Sequence, residues 1–478
     1  MISFCISLVA LVLGYVFYGA VVERVFGVEP DRPTPCFTKQ DGVDYIPMPT
    51  WKVFLIQFLN IAGTGPIFGA IMGILFGPAA YLWIVLGCIF AGATHDYMSG
   101  MISLRKGGIS IPEFVGDELG SGIRLLMRVF SMVLLVLVAA VFVATPANLL
   151  SNMTSGWGAC GTVFFWSALV FFYYILATLL PVSALIGRIY PLFGLAMLIM
   201  AVGLAIGIFT HDGWMPELTD PLTGHHPKGL PVFPMLCITI ACGAISGFHG
   251  TQSPMMARCL KSERMGRRVF YGAMIAEGLV ALIWAAASIK YAGSYQQLAD
   301  MGNPAVVVST LCSSWMGRIG AILAILGVVA APITSGDTAL RSARLMAADF
   351  LHFPQNKLWK RLALSLPIFV VCGMLLFIDF NVLWRYFAWS NQTLAFMTLW
   401  AVSVWLARKG RCFWITLLPA MFMTVVCTSY ILVAPEGFQL PLCVGIASGL
   451  VFMCLLTALF GCWLVRRRSK LKHTKMRH

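Results

Sequence analysis

The chain has 478 residues, of which 59% are hydrophobic and 11% charged, and its mean hydropathy is +0.85. Soluble domains carry about 25% charged residues, so this composition excludes a soluble enzyme or binding module and marks an integral membrane protein. The net charge of +14 does not point to nucleic acid, because the basic residues are sorted by connection rather than gathered into one patch.

Crossing a bilayer core of about 30 Å takes roughly 20 apolar residues at about 1.5 Å each. Runs of that kind predict an all-α polytopic membrane protein with about 13 transmembrane helices. They lie near residues 2–22, 53–76, 79–100, 128–149, 161–181, 189–209, 233–250, 269–289, 305–335, 363–383, 387–406, 413–434 and 441–465. The first run lacks a basic n-region and a small-x-small cleavage site, so it reads as a retained helix rather than a signal peptide. Of the 33 Lys and Arg, 29 fall in alternate connections and in the segment 466–478; Lys228, Lys290 and Arg385 occupy the others, and Arg318 lies inside a run. The positive-inside rule then predicts an external N-terminus and a cytoplasmic C-terminus, with the basic tail as a topology anchor against anionic lipid. The 14 cysteines are scattered without a CxxC pair, which speaks against a disulfide framework or a zinc site. No metal-spaced histidines, nucleophile elbow or P-loop occur, so neither an enzyme nor ATP-driven transport is expected.

The second run contains "IAGTGPIFGA" and the seventh "ACGAISGFHGTQSP". Glycine and proline at membrane depth open backbone hydrogen bonds, which hydrocarbon tolerates only where the freed groups are buried in protein or line a cavity. An offset of five helices reverses orientation, and paired interrupted segments in inverted positions point to the binding site of an inverted-repeat transporter; close helix packing on small residues is the alternative. The predicted layout is a LeuT-type 5+5 inverted repeat: an extra helix at 1–22, a connection at 23–52, repeat one at 53–209, repeat two at 233–406, and two peripheral helices at 413–465. Gly63, Thr64, Gly65 and Pro66 in the first break, with Gly247, His249, Thr251 and Gln252 in the second, are the candidate substrate-binding residues. A half-helix N-terminus near Gly65 would favour a carboxylate.

Thr334, Ser335, Asp337 and Thr338 in "APITSGDTALRSAR" offer hard oxygen ligands for Na⁺ or a proton path, or else an ordinary helix-end cap. Ionisable residues at membrane depth are functional candidates, which singles out Asp96 and Glu277 as a proton relay. His95 reads as a structural hydrogen-bonding residue. Asn391, Gln392 and Thr393 either line the cavity or bond neighbouring helices, the second being favoured. No cofactor is expected beyond Na⁺ or H⁺ as coupling ion, and the sequence leaves the oligomeric state open.

The stretches "DRPTPCFTKQDGVDYIPMPTWKVF", "IAGTGPIFGA", "AGATHDYMSGMISLRKGG", "ACGAISGFHGTQSPMMARC", "YGAMIAEGLVALIWAAA" and "TSGDTALRSARLMAADF" together resemble the carbon starvation protein A (CstA) family, from about residue 15 to about residue 430. The resemblance implies a bacterial inner-membrane uptake system for peptides or pyruvate, tied to carbon-limited growth, in the amino acid/polyamine/cation superfamily. The chain is shorter than the long members, and its "FHGTQSP" departs from their "FHALISSGTTPK". The function expected is symport of a small carboxylate-bearing nutrient, with a membrane nutrient sensor as the alternative.

Overall fold

In a computed structural model, which describes all residues except 42–44, 180–185, 352, 354–357 and 476–478, the described residues are helical and contain no strand. Helix α1 is Ile2–Phe26, α2 Thr50–Ala62, α3 Gly65–Phe76, α4 Ala79–Arg105 and α5 Ser121–Met153. Next come α6 Val163–Leu179, α7 Ile186–Thr210, α8 Val232–Thr239 and α9 Gly247–Ala257. The last are α10 Glu263–Ala292, α11 Pro304–Ala348, α12 Leu358–Leu375, α13 Phe380–Arg408, α14 Trp414–Val433 and α15 Leu442–Lys475.

Eight helices among the described residues are long and apolar enough to cross a membrane, and α2 with α3, bent by 46°, makes a ninth. The expected count of about thirteen is therefore finer than length and apolarity alone support. The seventh run divides into α8 and α9, each too short to span, and α13 carries Ser390, Asn391, Gln392 and Thr393 in its middle. The end of the fifth run falls outside the described residues, as do the last three of the basic tail; the rest of that tail continues α15 as helix.

Burial sorts centre from periphery. The apolar windows of α10 and α4 are 83% and 78% buried, while α1 and α15 are 28% and 11% buried. Ile, Val, Leu and Phe cover α1 and α15 on nearly every side, so these helices sit at the rim with side chains turned outward, where lipid replaces a protein neighbour. Helix α10 packs on α3, α7 and α2; α5 packs on α11, α13 and α6; α9 is held by α4, α13 and α2.

The connections gather at two ends. At one, Arg105 on α4 binds Glu263 at 2.8 and 2.9 Å, Arg258 donates to the Gly108 carbonyl, Arg408 reaches Glu118 at 3.3 Å, and Arg467 donates to the Ala407 carbonyl. At the other, the N-terminal amine and the Ser3 amide meet Glu217, Lys290 donates to the Ile208 carbonyl, and Arg385 pairs with Glu436. The connections that carry Arg105, Arg258 and Arg408 and the start of the basic tail at Arg467 thus share one end.

Candidate functional site

The two interrupted segments meet. Helix α2 stops at Gly63 and α3 starts at Gly65. Between α8 and α9 the chain from Ile240 to Ser246 leaves the helix, with one turn closed by Ala244 and Ile245 amides on the Ala241 carbonyl. Freed carbonyls need partners. Trp83 Nε1 donates to Ile240 O at 3.0 Å, and Gln392 Nε2 donates to Cys237 O at 2.6 Å. A Cβ on Gly65 would lie 2.4 Å from both Cβ and Sγ of Cys242, and one on Gly243 would touch the Pro66 Cα at 3.8 Å. The glycines therefore bring the breaks into contact. Gly247 has a similar reason: its Cβ would strike the Asn391 carbonyl and the Ala395 amide of α13.

The half-helices differ at their starts. Asn391 Oδ1 accepts from the Phe248 amide at 2.6 Å and from Ser246 Oγ at 3.0 Å, which caps α9. Thr64, at the N-cap of α3, makes no cap bond, and its buried hydroxyl has no protein partner among the described residues. Within α9, Thr251 Oγ1 donates to the Phe248 carbonyl and Gln252 Nε2 to Thr251 Oγ1, leaving Gln252 Oε1 buried with no donor among the described residues. Of Asn391, Gln392 and Thr393, the first two bond neighbouring segments as the favoured reading has it; Thr393 is not part of these bonds.

The ionisable residues at depth form one chain of contacts. His95 Nδ1 lies 2.8 Å from Asp96 Oδ1, His249 Nδ1 lies 2.8 Å from Asp96 Oδ2, and His249 Nε2 faces Glu277 Oε2 at 3.4 Å. All four side chains are fully buried. The structure joins Asp96 and Glu277, singled out separately from the sequence, through His249 on α9. Sequence reasoning missed Cys242, whose Sγ is grouped with His249 and Glu277 within 4.8 Å. Its thiol accepts from Asn391 Nδ2 at 3.5 Å and reaches Ser246 Oγ at 3.9 Å, so it belongs to the seam between the breaks; a Cys between Gly-rich neighbours gives little signal of that.

The α11 candidates divide between two faces. Ser335 Oγ contacts the Leu59 carbonyl of α2 at 3.3 Å and the Ala331 carbonyl at 3.1 Å. Thr334 and Thr338 donate to carbonyls of their own helix, whereas Asp337 pairs with Arg341 at 3.5 Å, and Arg341 also donates to the Ala177 carbonyl of α6. Gly336 lies directly under Tyr174, whose hydroxyl bridges the Phe142 and Pro332 carbonyls. The 770 Å³ cavity near Arg105 and Glu263 is lined by residues 28–35 and lies at the basic end, away from the breaks.

A family profile described as "Carbon starvation protein CstA" matches residues 1–165, 161–315 and 285–430. The chain belongs to the carbon starvation protein CstA family. It is 42% identical to an uncharacterized membrane protein of Haemophilus influenzae, over 65% of this chain and 95% of that one. It is 27% identical to the peptide transporter CstA of Escherichia coli, over 89% and 79% of the two chains. To the pyruvate/proton symporter BtsT of Escherichia coli it is 28% identical, over 60% of this chain and 49% of the relative.

Proposed function

We propose that this membrane protein is a secondary transporter that takes up a small carboxylate-bearing nutrient, a peptide or pyruvate, by cation or proton symport during carbon starvation. The observation that carries the reading is the contact of two interrupted membrane segments, Gly65 against Cys242 and Gly243 against Pro66. Two broken helices that meet at membrane depth supply polar backbone to a substrate at the point where alternating access turns. The names of the relatives, a peptide transporter and a pyruvate/proton symporter, support the same substrate classes.

In this reading the layout is a LeuT-type 5+5 inverted repeat in the bacterial inner membrane, with the basic end facing the cytoplasm. Thr64, Gly65 and Pro66 offer the α3 half-helix N-terminus to the carboxylate, and Gly63, Gly247, Thr251 and Gln252 complete the surroundings. On α11, Ser335 against the Leu59 carbonyl of α2 is the nearest of the ion-coupling candidates to the first break, with Thr334 and Thr338 beside it on the same helix and Asp337 on the face toward α6.

Uptake of labelled pyruvate and of small peptides into proteoliposomes, with Na⁺ and pH gradients imposed separately, tests the reading. Accumulation of one substrate class against its gradient is expected, with pyruvamide and amidated peptides failing to compete. Neutral analogues that compete as well as the acids would remove the helix-end recognition. Saturable binding without exchange or accumulation would mark a nutrient sensor and overturn transport.

A further inference from the structure

Donor counting constrains the buried chain on α4, α9 and α10. An ionised Asp96 accepts from both imidazoles, each Nδ1 donating at 2.8 Å. That leaves His249 Nε2 turned toward Glu277 Oε2, and neither Nε2 nor either Glu277 oxygen has any other hydrogen-bond partner among the described residues. A bare imidazole nitrogen and a carboxylate oxygen are both acceptors. Facing one another in a fully buried site they repel, and each bears its desolvation without return from the other. One proton between them removes the conflict, whether it is written as a neutral imidazole with a carboxylic acid or as an imidazolium with a carboxylate.

We propose that the His249–Glu277 pair is the proton-binding site that couples transport to H⁺, with Asp96 as the next station of the relay and His95 as the residue that orients Asp96. This rests on the transporter reading above and names its coupling ion and carrier. The transfer balances as follows: the Glu277 proton moves to His249 Nε2, and the Nδ1 proton of the resulting imidazolium moves to Asp96. Glu277 ends ionised, Asp96 protonated, and His249 neutral with the opposite tautomer, so one proton has crossed from α10 to α4.

Among the described residues, no further charged side chain pairs with this chain of four. Cys88 from α4 donates to the Met274 carbonyl, and the Cys242 thiol lies against Ser246 and Asn391. From α2 and α13, the helices packed on α9, come Gln57, which donates to Ser253, and Asn391 on the Phe248 amide. The middle link sits on α9, the half-helix that follows the second break, while its partners sit on α4 and α10, the most buried of the long spanning helices. His249 Nε2 and Glu277 Oε2 are 3.4 Å apart, so transfer requires the two side chains to close to an ordinary hydrogen bond of about 2.7–3.2 Å. A substrate carboxylate at the adjoining breaks adds negative charge, which favours the loaded pair; by linkage the proton favours the substrate equally.

The test uses purified full-length protein in proteoliposomes free of Na⁺, with labelled pyruvate and dipeptides as probes. Exchange at equal concentrations examines the transport reading. Accumulation with acid outside, and internal acidification on substrate addition, examine coupling. Wild type is expected to do all three; E277Q should keep exchange but lose both accumulation and acidification, and E277D should restore part of each. A carboxylic C=O infrared band present in wild type and missing in E277Q would locate the proton. If E277Q aggregates, H249Q takes its place with the same expected losses. Undiminished accumulation in both variants would overturn the proposal, as would accumulation driven only by Na⁺, or a stoichiometric transition metal retained by wild type and lost in E277Q. Absence of exchange in wild type for every probe would instead overturn the transport reading, and this one with it.

Discussion

Substituting Gly65 by alanine tests whether the two breaks are held in contact by packing. The added Cβ would sit 2.4 Å from Cys242 Cβ and Sγ, about 1 Å inside the 3.4 Å where ordinary contact begins, while the Cys242 Cα at 3.8 Å leaves room. The obstruction is thus a side chain on an irregular segment with little freedom to move, because Trp83 holds the Ile240 carbonyl at its start, Gln392 holds the Cys237 carbonyl just before it, and Asn391 contacts the Cys242 sulfur itself. Overpacking of this kind costs about 1–3 kcal/mol. Unfolding in detergent followed by thermal or denaturant melts should show that loss for Gly65→Ala. Adding Cys242→Gly should recover a large part of it, with a coupling of about 0.5–3 kcal/mol as expected for residues in contact. Gly122→Ala, where no atom lies within 4 Å, should change stability by less than about 0.5 kcal/mol. A Gly65→Ala protein as stable as wild type, or one that Cys242→Gly makes no better, would refute the packing account and return Gly65 to ligand contact alone.

Arg105→Ala strands the fully buried Glu263 carboxylate and should destabilise by about 3–5 kcal/mol; Arg105→Lys should recover only part in the same melts, since one ammonium cannot reproduce the two-point contact. Burial alone would raise the pKa of Glu217, but the N-terminal ammonium and Ser3 hold it down at about 2 against 4.5. Its contribution to stability is therefore present above pH 4.5 and lost as pH falls toward 2, so the melting difference between wild type and Glu217→Gln should shrink across that window. Thr334→Ala with Ser335→Ala removes the hydroxyl contact to the Leu59 carbonyl; accumulation should fall while the protein still inserts, and wild-type accumulation would take α11 out of the coupling.

Membrane insertion and the places where helices break were legible because both follow from composition along a single segment. An apolar run closes its own backbone bonds, and glycine with proline inside it opens them. What fills the space beside a glycine is not local: Gly65 faces Cys242, far along the chain, and the same letters would serve an approaching carboxylate or a neighbouring side chain. The buried chain shows the same limit. Asp96 and Glu277 stood out as ionisable at depth, yet Asp96 and His249 are 153 positions apart, and only packing of α9 on α4, with the His249 side chain reaching Glu277 of α10, brings the three together. Span number was less legible, since a run that hydropathy counts as one crossing folds as α8, an irregular turn and α9.

The two breaks also turn out to be unequal, and that bears on which one meets the substrate. Glycine content made them look alike. In the structure the start of α9 is already supplied with an acceptor, Asn391 Oδ1 on the Phe248 amide, so its share of the roughly half positive charge of a helix N-terminus is answered by a side-chain dipole. The start of α3 has Thr64 with no cap bond and a buried hydroxyl lacking a protein partner among the described residues. An anionic group therefore gains more at α3, where an uncapped N-terminus and a spare hydroxyl converge, than at α9, where it would have to displace Asn391. In the transporter reading proposed above, carboxylate recognition is therefore assigned to the first break, and the second, carrying His249, to the proton.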